Sequence, residues 1–414
     1  MQMIKSRFAL YSRNELFSLL ILAALLLVVF PLALDVFRLN LVGKYLTYAF
    51  VAVGLVLCWG YGGILSLGQG VFFGLGGYCM AMFLKLEASS VENTKIQSTP
   101  GIPDFMDWNQ ITALPSFWEP FHSFPLTLLL IILVPTAFAY IIGVAMFKRR
   151  VGGVYFAIIT QAFAAILTVL IIGQQGYTGG VNGMTDLRTL LGWDIRTDSA
   201  KVILYFVNAG LLIACLVVSQ FVLKSKLGRL LVAMRDKEDR VRFSGYDVAN
   251  FKIFIFCFGA AMCAIGGAMF TLQVGFMSPS FVGIVASIEM VIFCAVGGRL
   301  SLLGAVYGAL LVNWAKTTLS ESFPELWLLA MGGLFIAVVL AFPNGLAGIV
   351  QSVSEKLKQR RLAARAKVNP PDGAVPPVLS APPVLSPAVP APTERPVRSE
   401  AFLGPSGLSE KPAS

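Results

Sequence analysis

The sequence predicts an all-α polytopic integral membrane protein with about ten transmembrane helices and both termini cytoplasmic. Three observations lead there. Of the 414 residues, 57% are hydrophobic and only 13% are charged, and the mean hydropathy is +0.77. The apolar runs are about twenty residues long, enough to cross a roughly 30 Å hydrocarbon layer at 1.5 Å per residue. Lysines and arginines gather in alternate loops, the asymmetry that orients membrane proteins.

In chain order, residues 1–15 form a basic cytoplasmic N-terminus with Lys5, Arg7 and Arg13. The transmembrane domain covers 16–348. Its first span, 16–34, is too long for a signal peptide and has no clear small-residue cleavage site. Further spans are expected at 42–59, 63–86, 125–147, 154–172, 202–223, 251–274, 283–297, 300–316 and 325–342. With ten spans, 21 of the 32 Lys and Arg fall on the side of the N-terminus and 8 on the other, which places the N-terminus in the cytoplasm. Two outward loops are long, 87–124 and 173–200. Residues 349–369 make a basic juxtamembrane segment suited to anionic lipid. Residues 370–414, with twelve prolines in 45 positions, read as a disordered tail.

The stretch 224–250 is a charged island between apolar spans. Leu227, Leu230, Leu231 and Met234 recur at i, i+3, i+4 and i+7, one face of a helix, and the ionic run 235–242 follows them. Gly245 is a natural stop and Asp247 a cap for the next span. Such a segment lies at the water boundary. It is either a solvated loop that orients the chain or a docking helix for a soluble partner.

Within the spans, Gly62, Ser66, Gly70 and Gly74 stand four apart and predict a smooth face for close helix contact. The motif GGILSL at 62–67 recurs as GGRLSL at 297–302. Glu289 lies in an apolar run, so its carboxyl faces protein or water, either as an anchor or beside a substrate pathway. Thr160, Gln161, Asn182 and Thr185 supply neutral hydrogen-bonding groups toward the outer mouth. With few fixed charges in the spans, this set favours a small neutral solute over an amino acid. The six cysteines show no C-x-x-C spacing, and His122 is the sole histidine; no metal site is expected. No P-loop motif is present, so the chain does not hydrolyse ATP through one of its own, and no cofactor is expected on it. The net charge of +10 is explained by topology, not by nucleic acid.

YGGILSLGQGVFFGLGGY, GGVYFAIITQAFA, the 176–192 loop and SIEMVIFCAVGGRLSLLGAVYGALL together resemble the membrane subunit of branched-chain amino acid-type ABC importers. The similarity extends over roughly 40–348. GYTGGVNGMTDLRTLLG and RDKEDRVRFSGY are similar to the larger permease of the urea-transporting subgroup. The resemblance implies a bacterial inner-membrane importer with a homologous second permease subunit, two cytoplasmic ATPases and a periplasmic binding protein, ATP being used by the partners. It places ATPase coupling at 224–250, on Arg235, Asp236, Glu238 and Asp239 with Gly245 closing the segment. Arg240 and Val241 depart from the family's small residues there, and Gln69 stands where relatives often carry His. The function expected is import of urea through half of a translocation pathway. The alternatives are a branched-chain or other amino acid permease of the same type, an ion-coupled carrier using Glu289, and a channel.

Overall fold

The computed structural model describes residues 13–323 and isolated positions between 325 and 348, within one compact unit, Met1–Lys356. Residues 1–12, the expected tenth span (325–342) apart from those positions, the basic segment 349–369 and the tail 370–414 lie outside the described residues. Helix α1, Arg13–Ala24, passes through a π-helical stretch, Leu25–Val29, to a last turn at Phe30–Ala33. Helix α2, Val36–Leu55, continues into a second π stretch, Val56–Tyr61. Then follow α3 (Gln69–Ala88), α4 (Phe124–Phe147), α5 (Gly153–Gly173) and α6 (Asp198–Lys224). Two short helices, α7 (Lys226–Asp236) and α8 (Glu238–Phe243), precede α9 (Val248–Val274). The described helices end with α10 (Ile284–Gly297) and α11 (Leu302–Ser322).

Among the described residues seven helices, α1 to α6 and α9, are long and apolar enough to cross a membrane. The chain is a polytopic helical membrane protein. Each expected span before residue 323 falls on a helix, but three boundaries shift. Helix α2 starts at Val36, six residues early, because its polar first turns are inside the protein: Gln273 donates from Nε2 to Asn40 Oδ1, and Asn208 Nδ2 donates to the Gly43 carbonyl. Helix α11 runs on to Ser322, so Lys316, read from the sequence as an outward charge, lies inside the helix. Helix α3 begins at Gln69, six residues late, after Gly63 takes a left-handed φ of 70°. Gly62 and Ser66 therefore precede α3 instead of sharing one helical face with Gly70 and Gly74.

The centre of the fold is α9, which packs on α2, α3 and α4. In their most apolar windows, 83% of α2 and of α3 is buried, against 28% for α4 and for α5, so the first two are core and the others peripheral. Since lipid is as apolar as the helices, they associate through close packing, which needs small residues. A Cβ on Gly267 would lie 1.8 Å from the Phe73 carbonyl oxygen, and one on Gly54 would lie 2.9 Å from that of Gly259. The long loops 87–124 and 173–200 are locally ordered, with a two-stranded ribbon in the second, Thr189–Leu190 and Trp193–Asp194, pairing antiparallel.

Gly267→Val forces α9 away from α3 and is expected to destabilise the purified protein by at least about 1–3 kcal/mol. Thermal unfolding in detergent checks this, and an unchanged midpoint would show that the two helices do not depend on that contact.

Candidate functional site

Between α2 and α3 the chain is not helical. Tyr61 Oη donates to the Leu300 carbonyl (2.9 Å), and Arg299 stands over the Trp59 ring at 5.7 Å, so this end of α2 is level with the loop between α10 and α11. The two similar motifs, 62–67 and 297–302, thus lie side by side. At the other end of the break, Gly70 N–H donates to Ser287 Oγ at 3.0 Å. Ser287 precedes Gly297 by ten residues, about 15 Å along α10 at 1.5 Å per residue. Residues 62–68 therefore climb through roughly half the hydrocarbon thickness without a helix.

Peptide groups at such a depth must be hydrogen-bonded by the protein. Gly62 and Ile64 donate to the Leu57 and Cys58 carbonyls at 2.9 and 2.8 Å, closing the π stretch. Leu67 donates to Thr160 Oγ1 at 3.1 Å, and Gly68 to Ser66 Oγ at 3.4 Å. Thr160, Ser66 and Ser287 are all buried. The approach is tight: a Cβ on Gly68 would lie 2.3 Å from the Thr160 carbonyl, and one on Gly70 would lie 2.7 Å from Ser287 Oγ. Gln69, also buried, accepts from Cys263 Sγ at 3.2 Å.

The foot of the break is held by the charged island. Helix α7 buries Leu231 and Met234, and Arg235 Nη1 donates to the Gly60 carbonyl at 2.8 Å. Arg235 also pairs with Asp236 (3.0 Å), while Glu238 bridges Arg242 (2.9 Å) and Lys252 (2.7 Å). Asp239 faces water, as does Phe243, which is 91% exposed. Gly245 takes φ 85° at the turn into α9. The island is thus a pair of short helices with an apolar side down and an ionic side out.

A second constellation crosses α2, α10 and α11. Lys316 Nζ lies 2.7 Å from Glu289 Oε2, their side chains 29% and 14% exposed. Lys44, two turns into α2, is within electrostatic reach of both and stands over the Phe270 ring at 5.9 Å. Helices α2, α10 and α11 therefore carry fixed charges that meet, although the spans read from the sequence as poor in such charge.

In the last turn of α3, Lys85 is 5% exposed. It pairs with Asp104 (2.9 Å) from the 87–124 loop and donates to the Thr185 carbonyl (3.0 Å) of the 173–200 loop. Nearby, the guanidinium of Arg188 hydrogen-bonds the Asp186 carboxylate and holds its pKa below the ordinary carboxylate value. Met184 and Met277 exchange backbone hydrogen bonds of 2.8 and 2.9 Å, tying this loop to the segment entering α10.

The residues singled out from the sequence thus occupy three places. Thr160 supports the break, with half-buried Gln161 next to it; Glu289 sits in the charge cluster; and Asn182 and Thr185 line an outer cavity of about 150 Å³ with Lys85 and Asp104. Sequence reasoning missed Ser287, Lys44, Lys85 and Phe243. Lys44 and Lys85 were visible as cations within apolar runs.

Residues 37–339 match the family described as the permease component of the branched-chain amino acid transport system, and the chain belongs to that family. It is similar to the high-affinity branched-chain amino acid transport system permease protein LivM of Salmonella typhimurium, 26% identical over 72% of this chain and 67% of the relative. Similarity to LivM of Escherichia coli is 26% over 77% and 71%, and to the corresponding permease BraD of Pseudomonas aeruginosa 23% over 73% and 92%. The autoinducer 2 import system permease LsrC of Yersinia enterocolitica is 27% identical over 47% of this chain and 58% of the relative. No solved structure matches. The protein is a multi-pass inner-membrane permease subunit and not an enzyme. Importers of this family combine such a subunit with a second permease, ATPases and a binding protein.

Lys85→Met leaves Asp104 near the membrane without its cation and is expected to destabilise the outer loops by up to about 3–5 kcal/mol. Adding Asp104→Leu should recover part of that loss, as a coupled pair requires. Limited proteolysis of the 87–124 loop reads the effect, and a single variant as resistant as wild type would show that the pair secures nothing.

Proposed function

We propose that this chain forms half of the translocation pathway of an ATP-driven importer for branched-chain or similar small amino acids. The observation that carries the reading is the seven-residue break at 62–68, whose foot is held by Arg235. Discontinuous helices lined by neutral hydroxyls are what a polar cargo needs in the bilayer, and non-helical backbone is tolerated at that depth only against protein or water. A movement imposed on α7 and α8 from the cytoplasm reaches the break through one guanidinium. The exposed Phe243 and the ionic face around Asp236, Glu238 and Asp239 suit a groove on a soluble ATPase. With both termini cytoplasmic, a binding protein would meet the loops pinned by Lys85, and the second permease would complete the pathway.

The cargo follows from the relatives and from Lys44, Glu289 and Lys316. Paired charges match an ammonium and a carboxylate, whereas urea presents neither. The expectation of urea rested on a likeness to the urea-transporting subgroup and on spans poor in fixed charge, whereas the relatives matched are branched-chain amino acid permeases and α2, α10 and α11 carry Lys44, Glu289 and Lys316. Family likeness does not extend that expectation to this chain.

Radiolabelled uptake in a strain with and without the chain is expected to show leucine accumulation dependent on it. Chain-dependent uptake of urea with none of leucine would reverse the cargo assignment. For coupling, Arg235→Glu combined with Asp239→Lys should abolish ATP-dependent uptake while membrane insertion persists. Normal transport by that double variant, in vesicles holding the assembled partners, would remove α7 and α8 from the coupling path.

A further inference from the structure

We propose that the cavity between the α4–α5 turn, α8 and the start of α9 is a binding site for a phosphate group, supplied by an anionic lipid headgroup or by free phosphate. The inference goes beyond the reading of the chain as a permease and does not depend on its cargo.

The cavity encloses about 330 Å³, at the lower end of the roughly 300–1,000 Å³ usual for small-ligand sites. Four cations line it, Lys148, Arg150, Arg242 and Lys252, together with two carboxylates, Glu238 and Asp247. Both carboxylates are already engaged. Glu238 bridges Arg242 at 2.9 Å and Lys252 at 2.7 Å. Asp247 caps α9, accepting from the amides of Ala249 and Asn250 and from Asn250 Nδ2. By contrast, the side chains of Lys148 and Arg150 have no hydrogen-bond or ion-pair partner among the described residues. The lining thus has two positive charges in excess. At a water-accessible boundary this excess need not be balanced in full; it sets the sign of the ligand.

The backbone of the turn singles out Arg150. Its N–H donates to the Phe147 carbonyl at 3.1 Å, and that of Val151 to the Met146 carbonyl at 3.0 Å. This pairing closes a helix whose next residue takes the left-handed conformation, usually a glycine. Here that residue is Arg150, at φ 61°, although the chain does place glycine at the next left-handed position, Gly153, also at φ 61°. Side chains held in this region gather at functional sites. Orientation in the bilayer requires cations on this side but is indifferent to which of them line a cavity. Arg149, between the two unpaired cations, does not line it.

Phosphate fits this lining better than a carboxylate does. A guanidinium gives paired N–H donors to two phosphate oxygens, and an ammonium adds a point charge. Arg242 and Lys252 keep N–H groups beyond those given to Glu238, so the donors exceed what two carboxylate oxygens can accept. Phe147 and Val248, the last residue of α4 and the first of α9, set the cavity at the membrane boundary, the level of lipid phosphates. Phe147 stacks on Phe156 at 4.7 Å and meets Phe256 at 6.1 Å, so that wall is packed core. Entry is from the headgroup layer or from the water beyond it. A phosphate held there ties the α4–α5 turn to α8.

The test uses the full chain purified in a neutral detergent, in about 0.15 M sodium chloride, where charges are screened beyond about 8 Å and chloride competes. In one arm, inorganic phosphate is titrated calorimetrically. In the other, phosphatidylglycerol or phosphatidylcholine is added and retained lipid is measured by native mass spectrometry. Wild type is expected to bind saturably in at least one arm, and in the lipid arm to retain phosphatidylglycerol at least fivefold over phosphatidylcholine. Such retention names the headgroup as the source, whereas binding of inorganic phosphate alone names the free anion. Arg150→Gly suits the left-handed backbone, so its unfolding midpoint should equal or exceed that of wild type while affinity falls at least tenfold. Lys148→Gln should lower affinity at least threefold. Wild type that binds in neither arm overturns the proposal. So does affinity that both substitutions leave within twofold of wild type. A midpoint lowered by Arg150→Gly also overturns it, by making the arginine a structural tie.

Discussion

The structure depends on keeping peptide groups hydrogen-bonded where no water reaches them. A helix achieves this by itself, but residues 62–68 leave the helix at depth, so other elements must supply partners. Three buried hydroxyls do so: Thr160 from α5, Ser287 from α10 and Ser66 from the segment itself. Each unmade bond at that depth costs several kcal/mol, against about 1 kcal/mol net for an ordinary one in water. The break thus fixes the positions of α5 and α10. It also explains why the surrounding chain is rich in glycine, since Gly68 and Gly70 leave no room for a side chain against those partners.

The same constraint connects the distant parts of the molecule. Helix α9 holds α2 and α3, the two helices that the break separates, in one packed core. Arg235 caps the break on the basic side, and the backbone pairing of Met184 with Met277 ties the outer loop to the segment that enters α10 beside Gly70. A pull on either surface is transmitted to non-helical backbone held by a few hydrogen bonds. That is the least costly part of the span to rearrange, as regular helices would have to move as rigid rods.

Much of the fold was legible in the sequence, because span length and apolar composition report directly on the bilayer. The amphipathic face of 227–234 likewise predicted the boundary helix α7. The failures have a common origin. The sequence signal averages over windows, so a polar residue near the end of an apolar run reads as loop. The expected span 42–59 left Asn40 out for that reason, and Lys44 and Lys316, at the very ends of their expected spans, counted as charges of the opposite side, although each is accommodated within a helix by contacts from α9, α10 or α11. The regular spacing of Gly62, Ser66, Gly70 and Gly74 looked helical, yet the left-handed Gly63 between them ends the periodicity. Glu289 was recognisable as exceptional, but its partners come from helices nearby in space and distant in sequence. No local pattern announces such a meeting. The hydroxyl of Ser287 left no signal, since one serine in an apolar helix has many ordinary uses.

The buried Lys85 has a consequence for how the protein is made. Asp104 is 19 residues downstream and Thr185 is 100. At a synthesis rate of about 5–20 residues per second, the carboxylate emerges about 1–4 s after the lysine and the carbonyl about 5–20 s after it. The carboxylate is thus within reach early, from the loop that directly follows the helix of Lys85, whereas the neutral acceptor exists only after two more helices have been translated. A partner for the costly charge is thus available from the next loop before the later helices are made, and the 173–200 loop can only add to that pair.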